Sequence, residues 1–249
     1  MDSTSLLLVN SLSKNFGGVQ AINNLSFELR KGELLGLIGP NGSGKTTAVN
    51  LITGFVKPSE GEIIYQGKNI TGMSPHLVVR LGIARTFQMV KPFYQLPAFK
   101  NMIIPLYSPR VKKMKGGKYG DRNAIALDLL EEVGFERDSM VAYKSAGALP
   151  QGYLKRLELA KSIALNPDLM ILDELFSGLS LAEVAGIVPI IEKLRMQGKT
   201  IIMIEHRLKE LFRIADRIMV LNYGHKIAEG TAGEVMETPE VKKAYLGTE

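Results

Sequence analysis

Gly39, Pro40, Asn41, Gly42, Ser43, Gly44, Lys45, Thr46 and Thr47 run consecutively and satisfy the pattern G-x-x-x-x-G-K-[ST]. Ahead of them, Glu33 to Ile38 reads as a buried strand. Behind them, Ala48, Val49, Leu51 and Ile52 give Thr46 to Thr53 the spacing of a helix that stops at Gly54. Strand, glycine loop and helix in this order make a phosphate cradle. The glycines let successive N–H groups turn inward, the helix N-terminus adds positive potential, and Lys45 adds a point charge. The Thr46 hydroxyl is offered to Mg²⁺. A glycine-rich turn that binds nothing needs neither the lysine nor the threonine, so the segment is read as a nucleoside triphosphate site.

Around this loop, Leu6 to Val9, Leu25 to Leu29 and Glu62 to Tyr65 are short strand candidates with turn signals at Lys31-Gly32 and Glu60-Gly61, and they suggest a small antiparallel layer beside the nucleotide. Gly82 to Phe87, Leu169 to Leu172, Thr200 to Ile204 and Arg217 to Leu221 are further strands, interleaved with helical patterns. That alternation implies a mainly parallel sheet. Between Phe93 and Leu165 the pattern changes to helices alone, at Asn123 to Val133 and Tyr153 to Leu165, which predicts an inserted helical subdomain. The chain is therefore expected to be one α/β domain over residues 1–249, with residues 1–92 and 166–249 as core and β layer and residues 93–165 as the helical subdomain.

Composition removes some classes of partner. The 31 Lys+Arg against 25 Asp+Glu give a net charge of +6, which suits an anionic ligand, an anionic membrane surface or nucleic acid without choosing among them. Zero cysteines exclude disulfides and cysteine-ligated metal. Met1 to Asn10 lacks the pattern of a secretory signal, and no stretch approaches the ~18 uninterrupted apolar residues of a membrane span. A membrane role then runs through a partner, and dependence on ATP favours the cytoplasm. Ser108 to Arg122 is a Gly- and Lys-rich connector with six basic residues and one acidic residue. It reads as a solvated loop, with contact to anionic lipid or a partner as the alternative.

Polar residues sit at three strand exits. Leu169 to Leu172 ends in Asp173 and Glu174, a pair able to divide labour: Asp173 holds Mg²⁺ directly or through water, and Glu174 orients and deprotonates the water that attacks a γ-phosphate. Gln88 follows Gly82 to Phe87 and can meet a metal ion or water through its amide oxygen. His206 follows Thr200 to Glu205. A lone histidine is more often structural, but strand C-termini are where a doubly wound sheet gathers ligand-binding groups.

Taken together, these residues resemble the ATPase subunits of ABC transporters over nearly the whole chain. In the family's order stand the phosphate loop (Walker A), Gln88 as Q-loop glutamine, Leu149, Pro150, Gln151, Gly152 and Tyr153 as the signature segment, Leu169 to Glu174 as Walker B, and His206 as switch histidine. Phe16 stands where the family stacks an aromatic ring on adenine. The resemblance implies a P-loop NTPase core with an ABC-type antiparallel β layer and an inserted helical subdomain. Catalysis falls to Glu174, His206 and Lys45; ATP contacts to Phe16, Gly39 through Thr47 and Gln88; and Mg²⁺ to Thr46, Gln88 and Asp173. It further implies a second ATPase subunit, an integral membrane permease, a substrate-binding protein, no nucleic acid, and a place on the inner face of the cell membrane.

Phe16-Gly-Gly-Val-Gln-Ala, Leu51-Ile-Thr-Gly-Phe, Gly82-Ile-Ala-Arg-Thr-Phe-Gln88 and the ending Ala244-Tyr-Leu-Gly247 resemble the branched-chain amino-acid uptake group. That group is similar to urea and short-amide importers and, less closely, to the lipopolysaccharide-export ATPase. The residues near Gln88 to Leu106, including Phe93, Tyr94 and Phe99, are read either as a groove for a permease helix or as ordinary subdomain core. A soluble ABC ATPase acting on DNA or ribosomes is the rival from another class, but the chain lacks that class's long coiled coil or second ATPase domain. An inactive nucleotide-binding scaffold is another rival.

The pattern departs from the family in the signature, where Pro150, Gln151 and Tyr153 replace Ser, Gly and Gln, and at three positions beyond it. Pro150 replaces the signature serine and offers neither hydroxyl nor N–H, leaving Gly152 and a helix start near Tyr153 to make the contact. Leu175 replaces proline after the Asp-Glu pair, Ser180 stands where Asp or Asn is common, and Arg207 replaces an acidic residue. These departures are read either as tolerated variation, with the dimer homo- or heteromeric, or as the mark of an asymmetric heterodimer in which this chain supplies Walker A, Glu174 and His206 and its partner supplies the better signature.

Overall fold

The computed structural model describes residues 5–114 and 120–246. Residues 1–4, residues 115–119 of the basic connector and Gly247 of the C-terminal sequence lie outside the described residues. The chain begins with β1 (Ser5–Phe16), β2 (Val19–Arg30), β3 (Leu34–Ile38), α1 (Lys45–Ile52), β4 (Glu60–Tyr65), β5 (Lys68–Asn69), α2 (Pro75–Leu81) and β6 (Ile83–Arg85). The helices α3 (Ala98–Asn101), α4 (Ile103–Leu106), α5 (Pro109–Met114), α6 (Arg122–Glu132) and α7 (Gln151–Ala164) come next. The chain then alternates through β7 (Leu169–Asp173), α8 (Leu181–Met196), β8 (Thr200–Ile204), α9 (Leu208–Ile214) and β9 (Arg217–Asn222), and closes with β10 (His225–Gly230), α10 (Ala232–Glu237) and α11 (Pro239–Leu246).

Two sheets form. One is antiparallel, in the order β2-β1-β4-β5; the other runs β10-β9-β3-β8-β7-β6, parallel from β9 to β6 with β10 antiparallel at its edge. The central strands are buried on both faces, and the period of two divides their side chains between two cores. Leu34 and Ile38 of β3, Met170 and Leu172 of β7, and Ile201 and Met203 of β8 join the helix-side core. Leu35 and Leu37, Leu169 and Ile171, and Ile202 and Ile204 face the antiparallel layer and α1. The helix-side core runs without a break from Ala98, Met102, Leu130 and Phe135 in the helical segment to the sheet.

Several elements depart from expectation. β1 and β2 extend well beyond Leu6 to Val9 and Leu25 to Leu29, because register shifts and the left-handed residues Ser11 and Asn24 interrupt their alternation without ending the pairing. β6 is shorter than Gly82 to Phe87, since Gly82 caps α2 in the left-handed region. α6 and α7 begin at Arg122 and Gln151 rather than Asn123 and Tyr153. The connector is not a loop throughout: Pro109–Met114 is helical, and Arg110 is spent inside the molecule on the Leu165 and Asn166 carbonyls and on Asp168. α8 persists through an internal Pro189, helped by a capping box at Ser180 and Glu183. β5 and β10 are additions that the sequence pattern did not disclose.

Candidate functional site

β3 delivers the chain into the phosphate loop, and α1 leaves it from an N-cap at Gly44. Gly39 needs to be glycine: its φ is +150°, and a Cβ there would stand 2.1 Å from the Leu221 carbonyl oxygen on β9. The Lys45 ammonium is buried within the loop, donating to the carbonyls of Gly39 at 2.7 Å and Pro40 at 3.0 Å. Burial lowers its pKa, opposed by the nearby Glu174 and Asp173 charges. From the side, the loop is braced by the Tyr223-Gly224 hairpin, whose Gly224 N–H donates to the Ser43 carbonyl at 3.0 Å. Burial raises the pKa of the Tyr245 hydroxyl, on α11, against the pull of the Gly39 N–H.

Because β7 and β8 are adjacent and parallel, their exits bring Glu174 and His206 to the same edge of the sheet. Glu174 is a non-glycine residue with φ +48°, and its N–H is held by the Ile204 carbonyl at 2.9 Å. That left-handed backbone costs on the order of 1–3 kcal/mol, and it turns the carboxylate between two neighbours. The Gln88 Nε2 donates to Glu174 Oε2 at 2.6 Å, and His206 Nε2 lies 3.1 Å from Oε1 and donates to it. A cavity of about 330 Å³ joins Glu174 to Asn41, Gly42, Ser43, Gly44, Lys45, Thr46 and Thr47. Glu174 thus faces the phosphate loop across a space able to admit a phosphoryl group and a water.

Asp173 ends β7 in a buried pair: Arg85 Nη2 reaches its Oδ2 at 2.6 Å, and Arg85 Nη1 reaches Asn50 Oδ1 on α1 at 2.6 Å. Thr46, Gln88 and Asp173 line one cavity of about 450 Å³. Among the described residues no cluster of three or more His, Cys, Asp or Glu side chains is arranged to hold a metal ion. One carboxylate with hydroxyl and amide oxygens instead suits Mg²⁺, a hard cation that keeps several waters and takes its remaining ligands from substrate phosphates. Sequence reasoning missed Arg85, because its partner lies far along the chain.

Glu205, just before His206, was also missed. It is buried and accepts from the Phe176 N–H at 2.8 Å. Burial pushes its carboxyl up to about 7 from 4.5, against the pull of that hydrogen bond and of Lys155. An acid harder to ionise folded than unfolded withdraws stability as pH rises from about 4.5 through about 7. Glu205→Gln keeps the acceptor and removes the titration. Its stability relative to the parent should therefore grow between pH 5 and pH 8, by on the order of 3 kcal/mol at 1.36 kcal/mol per unit. Denaturant melts at both pH values measure this, and a constant difference would show that Glu205 does not titrate in that window.

In the signature segment, Pro150 is the N-cap of α7, so the helix begins directly after it. Leu149 is buried, Gln151 is exposed and Tyr153 packs edge-on against Phe135 with centroids 5.0 Å apart, so Tyr153 serves the helical core. Gly152 lies beneath α8: a Cβ there would stand 2.3 Å from Glu183 Oε1. Glu183 is not free to swing away without cost, because it forms the capping box with Ser180. Gly152→Ala should open that box and lower Tm by roughly 2–4 °C, as read by differential scanning calorimetry. The other departures have structural work too: Leu175 is buried in the core, and Arg207 Nη2 donates to the Leu179 carbonyl, tying the His206 loop to the segment before α8.

Phe16, at the end of β1, is half exposed with the Lys14 ammonium 5.0 Å from its ring centroid. It does not line the cavity at the phosphate loop; Val19, Gln20, Ala21 and the exposed Tyr223 do. The sequence signal for Tyr223 was the two-residue Tyr-Gly turn. Phe93, Tyr94 and Phe99 do not line the apolar groove of about 570 Å³ beside the site, which is formed by Phe55, Val78, Phe87, Ile104, Tyr107 and Leu165 among others. Phe99 stacks on Tyr143 instead, and the Phe93 N–H is held by Asn101.

Comparison with known proteins places the chain in a family. The model of the ABC transporter family matches residues 22–177. The chain is similar to the high-affinity branched-chain amino acid transport ATP-binding protein LivG of Salmonella typhimurium, at 36% identity over 255 residues, 98% of this chain and 99% of that protein. Among solved structures it is similar to the ADP conformation of an ATP-binding cassette of an ABC transporter, with TM-score 0.84 and 31% identity over 98% of this chain and 99% of that one. It is also similar to a dimeric cassette in a post-hydrolysis state bound to ADP and Pi, with TM-score 0.80 and 26% identity over 91% of this chain and 98% of that one.

Proposed function

Since this chain belongs to the ABC transporter family, we propose that it is the ATP-hydrolysing subunit of an importer for branched-chain or related amino acids. The observation that carries the hydrolytic part is the convergence of Gln88 and His206 on the Glu174 carboxylate, across a cavity from Lys45. The cargo rests on similarity to LivG.

In this reading the phosphate-loop N–H groups and Lys45 hold the triphosphate and stabilise charge that develops on it. Glu174 accepts the proton of the attacking water, while Gln88 and His206 keep its carboxylate aimed. Mg²⁺, when bound, would neutralise phosphate charge, with Thr46, Gln88 and Asp173 as its protein donors. His206 is half exposed and hydrogen-bonds Glu174, which suits a group that also meets the γ-phosphate. A second cassette completes the site through its signature segment. The absence of both a hydroxyl and an N–H on Pro150, the residue before α7, supports a heterodimer in which the partner's signature serves this chain's ATP. The groove of Phe55, Phe87, Ile104 and Tyr107 takes a helix of the permease, which holds the subunit on the cytoplasmic face of the membrane. No helix among the described residues is long and apolar enough to cross the membrane.

Isolating the membrane complex in mild detergent and identifying its permease, second cassette and substrate-binding protein tests the assembly. Reconstitution then tests the cargo: ATP-dependent uptake of labelled leucine, isoleucine or valine is expected. Uptake of urea or short amides alone, or outward movement of lipid, would replace the cargo assignment. Equal turnover per site in homodimer and heterodimer would remove the asymmetry.

A further inference from the structure

Lys155, in the second turn of α7, is buried with 1% of its surface exposed. Among the described residues it makes no ion pair. Its ammonium donates instead to two main-chain carbonyls, of Gln88 at 3.0 Å and of Glu174 at 2.9 Å. A buried cation is costly unless its hydrogen bonds are made, and burial lowers its pKa while Glu205, Glu174, Asp173 and Glu158 pull it back. A methionine could fill the same space without that cost. The ammonium therefore has its use in the two carbonyls it holds.

Those carbonyls belong to the two residues whose side chains meet at 2.6 Å. Glu174 has φ +48°, a backbone that a residue with a Cβ rarely adopts. The Ile204 carbonyl fixes its N–H, and the Lys155 ammonium fixes its C=O, so the lysine closes the second half of the constraint. The same cation ties the helix behind the signature segment to both loops of the hydrolytic centre.

We propose that Lys155 is a positioning residue for ATP hydrolysis, clamping the main chain of Gln88 and Glu174 so that the Gln88 amide and the Glu174 carboxylate stay aligned. This rests on the roles proposed above for Glu174 and Gln88. In the assembled transporter, Lys155→Met should lower kcat by ~10- to 100-fold while the KM for ATP and the affinity for trinitrophenyl-ATP stay within about threefold. Lys155→Arg, which keeps donors for both carbonyls, should recover most of the loss. If Lys155→Met does not fold, Lys155→Gln is read by the same kcat-against-KM split.

Unchanged kcat overturns the proposal. So does equal loss of turnover and nucleotide affinity without rescue by arginine, which marks a purely structural role. Glu174→Gln serves as the control: if it turns over normally, the assignment of the hydrolytic site itself fails. If Glu174→Gln is inert while Lys155→Met is normal, only the clamp fails.

Discussion

Glu174→Gln should lower ATP turnover by ~10²- to 10⁴-fold, the usual contribution of a positioned general base, or about 3–5 kcal/mol of transition-state stabilisation. The substitution is nearly isosteric, and the new amide oxygen still accepts from Gln88, now 2.6 Å from the carboxylate. The phosphate loop, with its Lys45 and glycine geometry, is untouched. Nucleotide affinity should therefore stay within about threefold of the parent while kcat collapses, the pattern of an interaction made only in the transition state. Steady-state phosphate release together with equilibrium nucleotide binding checks both halves. Parental turnover would move the base elsewhere, with His206 the neighbouring candidate. A parent already inert in its reconstituted complex would favour a nucleotide-binding scaffold.

Lys45→Met should weaken ATP binding by ~100-fold, about 2.7 kcal/mol, within the range of a charge-assisted hydrogen bond to phosphate. The folded protein should survive the change. Its ammonium is desolvated, so the burial penalty leaves with the charge and offsets the lost bonds to the Gly39 and Pro40 carbonyls. Linkage makes the prediction measurable. At ATP one hundred times the parental Kd, the parent gains about 2.7 kcal/mol of stability, while a variant binding 100-fold more weakly gains about 0.4 kcal/mol. Thermal melts with and without ATP should show a large shift for the parent and almost none for the variant. Equal shifts would mean that the loop N–H groups, not the ammonium, carry the affinity.

The phosphate loop was legible because its job is done by backbone geometry, which demands particular residue types in consecutive positions. Glu174 and His206 were legible for a related reason: each ends an apolar run, and parallel strands deliver their ends to one edge. Arg85, Lys155 and Glu205 were not legible. A cation in a sequence carries no mark of the distant carbonyl or carboxylate it will meet. Within Gln88 to Leu106 the sequence could not say which residues line a groove and which are core: Ile104 lines the apolar groove with Phe55, Phe87 and Tyr107, whereas Phe99 packs on Tyr143. Ser180 stands where Asp or Asn is common, and only the structure shows that its hydroxyl caps α8.

By itself, then, the sequence determined the triphosphate cradle, the α/β alternation and the polar residues at the strand exits, since each is written in local order and periodicity. Tertiary structure alone decided which of those groups meet. Pairing of β7 with β8 set Glu174 beside His206, the left-handed turn at Glu174 aimed its carboxylate at Gln88, and α7 brought Lys155 beneath both. Such contacts join residues remote in the chain and arise only when the two cores close around the sheet.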